Sequence, residues 1–287
     1  MAQDGVKFVF VIPAVTYILA LIIFPLATAI FTSFTDARFG TLEANFIGTK
    51  NYALPFNDYR FYNSVYVTLL FTAIVVPVEL ALGLLLALLL NREIRGKSVI
   101  RAILIVPIFV SPIAFALMGQ VIFYEGGGGI NGLLKDLGLP IIRWRSDSTT
   151  AIFTVMISDV WMWTPFVFII ALAGLQSLPK DLIDAAKVDG ASDIQLFRRI
   201  TLPLLAPTLL TILLFRIVDT LRLLEIPFTL LGGGGPGITT ETLTVYIYKV
   251  GFRGFFFGQA AAMSFIYLLM VIAIVSVLFY KVRQYYV

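Results

Sequence analysis

Apolar residues dominate six stretches of the chain, at about residues 8–34, 61–90, 102–124, 150–175, 204–231 and 257–280, which are uncharged or nearly so. Polar and charged residues collect between them. A hydrocarbon core of roughly 30 Å is crossed by about 20 apolar residues in helical form, so each stretch is long enough to span it. The pattern predicts an all-α, polytopic membrane protein with six transmembrane helices, organised as a single domain over residues 1–287. The first stretch is expected to be retained as a span, because Phe8 to Phe34 is uncharged for 27 residues. A signal-peptide apolar region runs to only about 7–15 residues.

Composition agrees: 59% of residues are hydrophobic and 13% charged, against about a quarter charged in soluble domains. There is no cysteine and no histidine, which removes disulfides, thiol nucleophiles, imidazole bases and the usual zinc ligands. The net charge of +4 reads as loop topology and not as a nucleic-acid footprint, since no basic cluster with stacking aromatics occurs in a polar segment. If both termini are cytosolic, the inner segments hold eleven basic residues: Lys7, Arg92, Arg95, Lys97, Arg101, Lys180, Lys187, Arg198, Arg199, Lys281 and Arg283. The longer outer segments hold eight: Arg38, Lys50, Arg60, Lys135, Arg143, Arg145, Lys249 and Arg253. The bias sets the N-terminus and C-terminus on the cytosolic side.

Phosphate-binding signatures fail on context. Gly127, Gly129 and Gly132, and again Gly232, Gly234 and Gly237, match a G-x-G-x-x-G spacing. Neither run follows a strand, and Pro236 interrupts the second. Gly96-Lys97-Ser98 resembles the end of a phosphate loop, but residue 91 is Asn where that loop has its first glycine. No ATPase is expected in this chain.

The polar loop over residues 176–203 carries the most specific pattern, DAAKVDGASDIQLFRRITLPLLAP from Asp184 to Pro207. Gly190 marks a turn between a short helix and a second amphipathic one, in which Ile194, Phe197 and Ile200 recur at helical spacing while Asp193, Arg198 and Arg199 face water. Such an element can dock in a partner's groove. The pattern resembles the EAA loop of permease subunits in binding-protein-dependent ABC importers. Ala185, Ala186, Asp189, Gly190, Ala191, Phe197, Ile200, Leu202, Pro203 and Pro207 match, and Asp184 stands where that family usually has Glu. Gly232 to Ser264, with Phe46, Gly48, Asn51, Tyr52, Asp58, Phe61, Asn63 and Ser64, is similar to carbohydrate importer permeases of the MalF and glycerol-3-phosphate type.

The resemblance implies a MalF-like permease fold in the cytoplasmic (inner) membrane of a prokaryote, in contact with membrane lipid. It implies a cargo of sugar or a glycerol-3-phosphate-like polyol, and no covalent catalysis. The implied partners are a second permease subunit, an ATP-binding cassette ATPase dimer and an extracytoplasmic solute-binding protein. No cofactor belongs to this chain; ATP and Mg are bound by the partner ATPase. The alternative from another class is an ion-coupled secondary transporter, in which Asp159, Asp219 or Glu79 binds the coupling ion; no internal repeat supports it.

An ionisable residue inside a span is costly and marks a functional candidate. Asp159, Met162, Trp163 and Phe166 share a helical face in the fourth span. Under the resemblance this face bounds a sugar path, with a carboxylate for hydroxyls and an aromatic plane for C–H edges. A helix-packing Trp beside a solvated Asp is the other reading. In the fifth span Arg216, Asp219, Thr220 and Leu223 recur at the same spacing, and Arg216–Asp219 and Arg222–Glu225 are spaced to pair at i, i+3. Arg222 and Glu225 lie further round the helix, either as a structural pair or along the path. Glu79 has no partner legible in sequence.

Overall fold

A computed structural model describes residues 2–40 and 44–283, with side chains described from residue 11 to residue 280 outside that gap. Lys7, Lys281 and Arg283, which count in the orientation reading, therefore have side chains outside the described residues. The described chain is helical, and its one β-type pairing is an isolated antiparallel bridge between Thr35 and Phe46.

Helix α1 covers Ala2–Ser33 and α2 covers Tyr59–Leu90. Helix α3 (Lys97–Ile105) leads through a 3-10 turn, Val106–Phe109, into α4 (Pro112–Ile122). Then follow α5 (Gly129–Asp136), α6 (Ser148–Gln176), α7 (Lys180–Val188) and α8 (Asp193–Leu196). A π turn, Phe197–Thr201, joins α8 to α9 (Leu202–Leu221). The last three are α10 (Glu225–Leu230), α11 (Leu243–Tyr248) and α12 (Phe257–Arg283). Among the described residues five helical stretches are long and apolar enough to cross a membrane, or six if the bent pair α3–α4 counts as one span.

Two of the expected spans are not single rods. Within 102–124 the chain bends by 98° between α3 and α4. Pro107 sits in the 3-10 turn and Pro112 opens α4, so two amide donors are missing from one short stretch and the helical ladder cannot run through. The expected 204–231 span starts earlier, in α8, and breaks after Leu221. There Arg222 leaves helical geometry and Glu225 starts α10.

The contacts divide into two compact units, one of residues 1–61 with 246–270 and the other of residues 62–245 with 271–287. In the first, Asn51 is the buried tie, donating to the carbonyls of Ser33 and Thr35 at 2.9 and 2.7 Å. Gly258 lets its backbone pass against the Thr35 carbonyl, where a Cβ would collide with that oxygen and with the Asn51 amide.

In the second unit α6 is the spine. Asp147 caps it, accepting from Thr149 and Thr150 N–H at 3.0 Å each. One apolar cluster joins Phe71 and Val75 of α2, Phe115 of α4, Val155 and Met162 of α6, and Ile226 and Leu230 of α10. A second joins Ala87 of α2, Phe168 and Ala171 of α6, and Leu205 and Ile212 of α9. Small residues allow close approach: a Cβ on Gly83 would stand 2.5 Å from Val167 Cγ1, and one on Gly174 2.7 Å from Leu205. Several hydroxyls in the spans donate to i−4 carbonyls, as in Thr68 to Ser64 at 2.7 Å and Ser158 to Thr154 at 2.7 Å.

Candidate functional site

Within the second unit, α2, α6 and α9 meet on one cation. Arg216 is 1% exposed and donates from Nε and Nη2 to the two oxygens of Glu79, at 2.6 and 2.8 Å. Nη2 also reaches Asp159 at 2.8 Å, and Nη1 reaches Asp219 at 2.6 Å. A planar guanidinium presents its donors in a fixed fork, and three carboxylates from three helices fill that fork. Its face lies over Trp163, with Cζ 4.9 Å from the ring centroid. The partner that sequence could not supply for Glu79 is thus Arg216, 137 residues away.

The helical faces read from spacing divide into buried and recess-lining residues. Asp159 and Met162 are buried, the first on Arg216 and the second in the apolar cluster with Phe71. Trp163 and Phe166 are half-buried, pack edge to face at 6.3 Å, and line a recess of about 350 Å³ with Phe215, Val218, Asp219 and Arg222. A second recess of about 400 Å³ shares Trp163, Asp219 and Arg222 and adds Pro112, Leu223, Glu225 and Ile226. Thr220 is buried and lines neither recess; its hydroxyl has no hydrogen-bond partner among the described residues.

Arg216 and Asp219 pair as their spacing predicts, but the expected Arg222–Glu225 pair does not form. The helix ends at Leu221, so Arg222 and Glu225 no longer follow one helical spacing, and Arg222 turns back to Asp219 at 2.9 Å. Both Arg222 and Glu225 stand at the recess. The breaks that re-aim these side chains are the one after Leu221 and the bend that carries Pro112 to the wall.

The polar loop is built as two helices around a turn. Asp184 and Ala185 are exposed and Ala186 half-buried on α7. Asp189 caps α7; Gly190 follows at φ 80°, with its N–H on the Lys187 carbonyl and Ala191 N–H on the Ala186 carbonyl, a Schellman closure. Ser192 then opens α8 in a reciprocal box with Gln195. Ile194 is 67% exposed and Val188 87% exposed, while Phe197, Ile200 and Leu202 are half-buried; Pro203 is exposed and Pro207 half-buried on α9. Arg198 and Arg199 face outward as the pattern predicts.

Apolar helices of membrane-spanning length, some of them broken, a polar recess beside a buried ion-pair network and a two-helix polar loop define a multi-pass membrane protein. Residues 79–283 match the family described as binding-protein-dependent transport system inner membrane component, and the chain belongs to that family. It is 34% identical over 97% of its length to the trehalose/maltose transport system permease protein MalF of Thermococcus litoralis, covering 93% of that protein. It is 37% identical over 87% of its length to the sulfoquinovosyl glycerol transport system permease protein SmoG of Agrobacterium fabrum, covering 82%. Among solved structures, a chain of a bacterial ABC transporter involved in import of the acidic polysaccharide alginate shares the fold. The TM-score is 0.83 at 22% identity, with 99% of this chain and 96% of that one covered.

Proposed function

We propose that this chain is one permease subunit of an ATP-driven ABC importer for a sugar or polyol, acting as a single transmembrane domain in the inner membrane of a prokaryote. It works beside a second permease, a cytosolic ATPase dimer and an extracytoplasmic solute-binding protein. The observation that carries the cargo class is the similarity, over nearly the whole of both chains, to a trehalose/maltose permease. Coupling runs through residues 184–203. The apolar side chains of Val188 and Ile194, exposed in an otherwise polar loop, fit a partner's groove. Closure of the ATPase dimer moves this loop as a body and switches access to the bundle interior.

Cargo passes the recess bounded by Trp163, Phe166, Asp219 and Arg222. A carboxylate accepts from sugar hydroxyls, and an aromatic plane receives the apolar C–H edges of the ring. Trp163→Ala is expected to lower uptake at normal membrane abundance while the solute-binding protein keeps its own affinity; normal uptake in both Trp163→Ala and Phe166→Ala removes them from the path. Gly190→Val is expected to reduce ATP turnover and ATPase co-purification without loss of inserted protein. Unchanged coupling in that variant overturns the role of the loop. Uptake that survives removal of every ATPase partner and collapses with a protonophore makes the chain an ion-coupled carrier instead.

A further inference from the structure

We propose that the recess at Trp163 selects an uncharged polyhydroxylated cargo and turns away anionic ones; this rests on reading that recess as the cargo path. Two cations border it, and both are already paired with carboxylates. Arg216 is buried, and its Nε, Nη1 and Nη2 all donate to carboxylates of Glu79, Asp159 and Asp219. One of its faces is covered by Trp163. Arg222 is exposed but tied to Asp219 through Nη2 at 2.9 Å and Nε at 3.3 Å. The recess walls hold no lysine; their other charged groups are Asp219 and Glu225.

A phosphate or carboxylate entering this space therefore meets Asp219 and Glu225, and the exposed guanidinium it can reach, Arg222, already shares its charge with Asp219. In a partly desolvated site such like-charge contacts discriminate strongly. A neutral sugar meets no such barrier. Its hydroxyls donate to Asp219 and Glu225, which only accept when ionised, and its ring lies on Trp163. Selection here comes from carboxylates that already pair with both guanidinium groups and from Glu225 on the wall.

The test uses the assembled complex of this chain with its second permease and ATPase, in nanodiscs, with equilibrium dialysis of two matched pairs: trehalose against trehalose 6-phosphate, and glycerol against glycerol 3-phosphate. At least one neutral member is expected to bind in a manner abolished by Trp163→Ala, with its phosphate at least about tenfold weaker. Asp219→Asn, which frees Arg222, and separately Glu225→Gln, which removes an exposed wall charge without touching the buried network, are each expected to narrow that gap. Phosphate binding that equals or exceeds the neutral member's, and still depends on Trp163, overturns the charge selection and leaves the path reading standing. A gap unmoved by both variants also overturns it. Absence of any Trp163-dependent binding overturns the path reading itself.

Discussion

At the scale of single residues, Arg216 concentrates the largest electrostatic stake in the second unit. Removing one partner of a buried ion pair leaves the others without compensation, at about 3 to 5 kcal/mol. Arg216→Leu strands Glu79 and Asp159 together, so a sharp loss of membrane abundance and of thermal stability in detergent is expected. Adding Glu79→Leu and Asp159→Leu to that variant is expected to restore much of both, because apolar replacement of a whole buried network is often near neutral. Arg222→Ala should behave differently: its exposed pair with Asp219 is worth roughly 0 to 1 kcal/mol, so abundance stays near normal while uptake falls. Outside the spans, burial pushes the Glu125 carboxyl up, but hydrogen bonds from Ser146 and the Arg145 and Ser146 amides pull it further down, below the usual Glu range. A depressed carboxylate stabilises the fold above its unfolded pKa and loses that contribution as pH falls through the folded value. Melting of the wild type against Glu125→Gln should show a gap at pH 7 that closes on acidification below about pH 4.

Among the elements, the polar loop turns on backbone geometry. Gly190 has φ 80° and open space where a Cβ would stand, so the cost of replacing it is conformational and not steric. A non-glycine residue held in that region costs on the order of 1 to 3 kcal/mol, and least for Asn. Gly190→Asn should keep ATP turnover close to wild type while Gly190→Val lowers it; equal values for the two variants would remove the turn from the coupling role. The helix interface at Gly83 makes the opposite case. Its Cβ would meet Val167 at 2.5 Å, so Gly83→Val forces α2 from α6 and is expected to destabilise by about 1 to 3 kcal/mol in thermal melts.

For the whole molecule, orientation in the membrane is the property that basic-residue bias argues and the fold alone leaves open. The absence of cysteine makes it directly measurable. Ser192→Cys and Lys135→Cys are both at exposed positions. A membrane-impermeant thiol reagent applied to intact cells with an opened outer layer is expected to label Lys135→Cys, and to reach Ser192→Cys only after lysis. The reverse pattern inverts the chain and moves residues 184–203 away from any cytosolic ATPase.

Much was legible because it depends on local order along the chain. Span number and helical class follow from the length of uncharged runs, since a bilayer demands internally paired backbone over a set distance. The turn at Gly190 follows from a residue type that fixes backbone geometry locally. The Arg216–Asp219 pair follows from a separation of three on one helix. Other features depended on what is near in space. The tie of Glu79 and Asp159 to Arg216 joins three helices, and no pattern along one of them encodes it. The break after Leu221 turned Arg222 toward Asp219 and brought Glu225 to the recess, because once a helix ends, the 3.6-residue period no longer says which way the next side chain points. Which charges meet between helices, and which of them line the recess, was decided by tertiary packing.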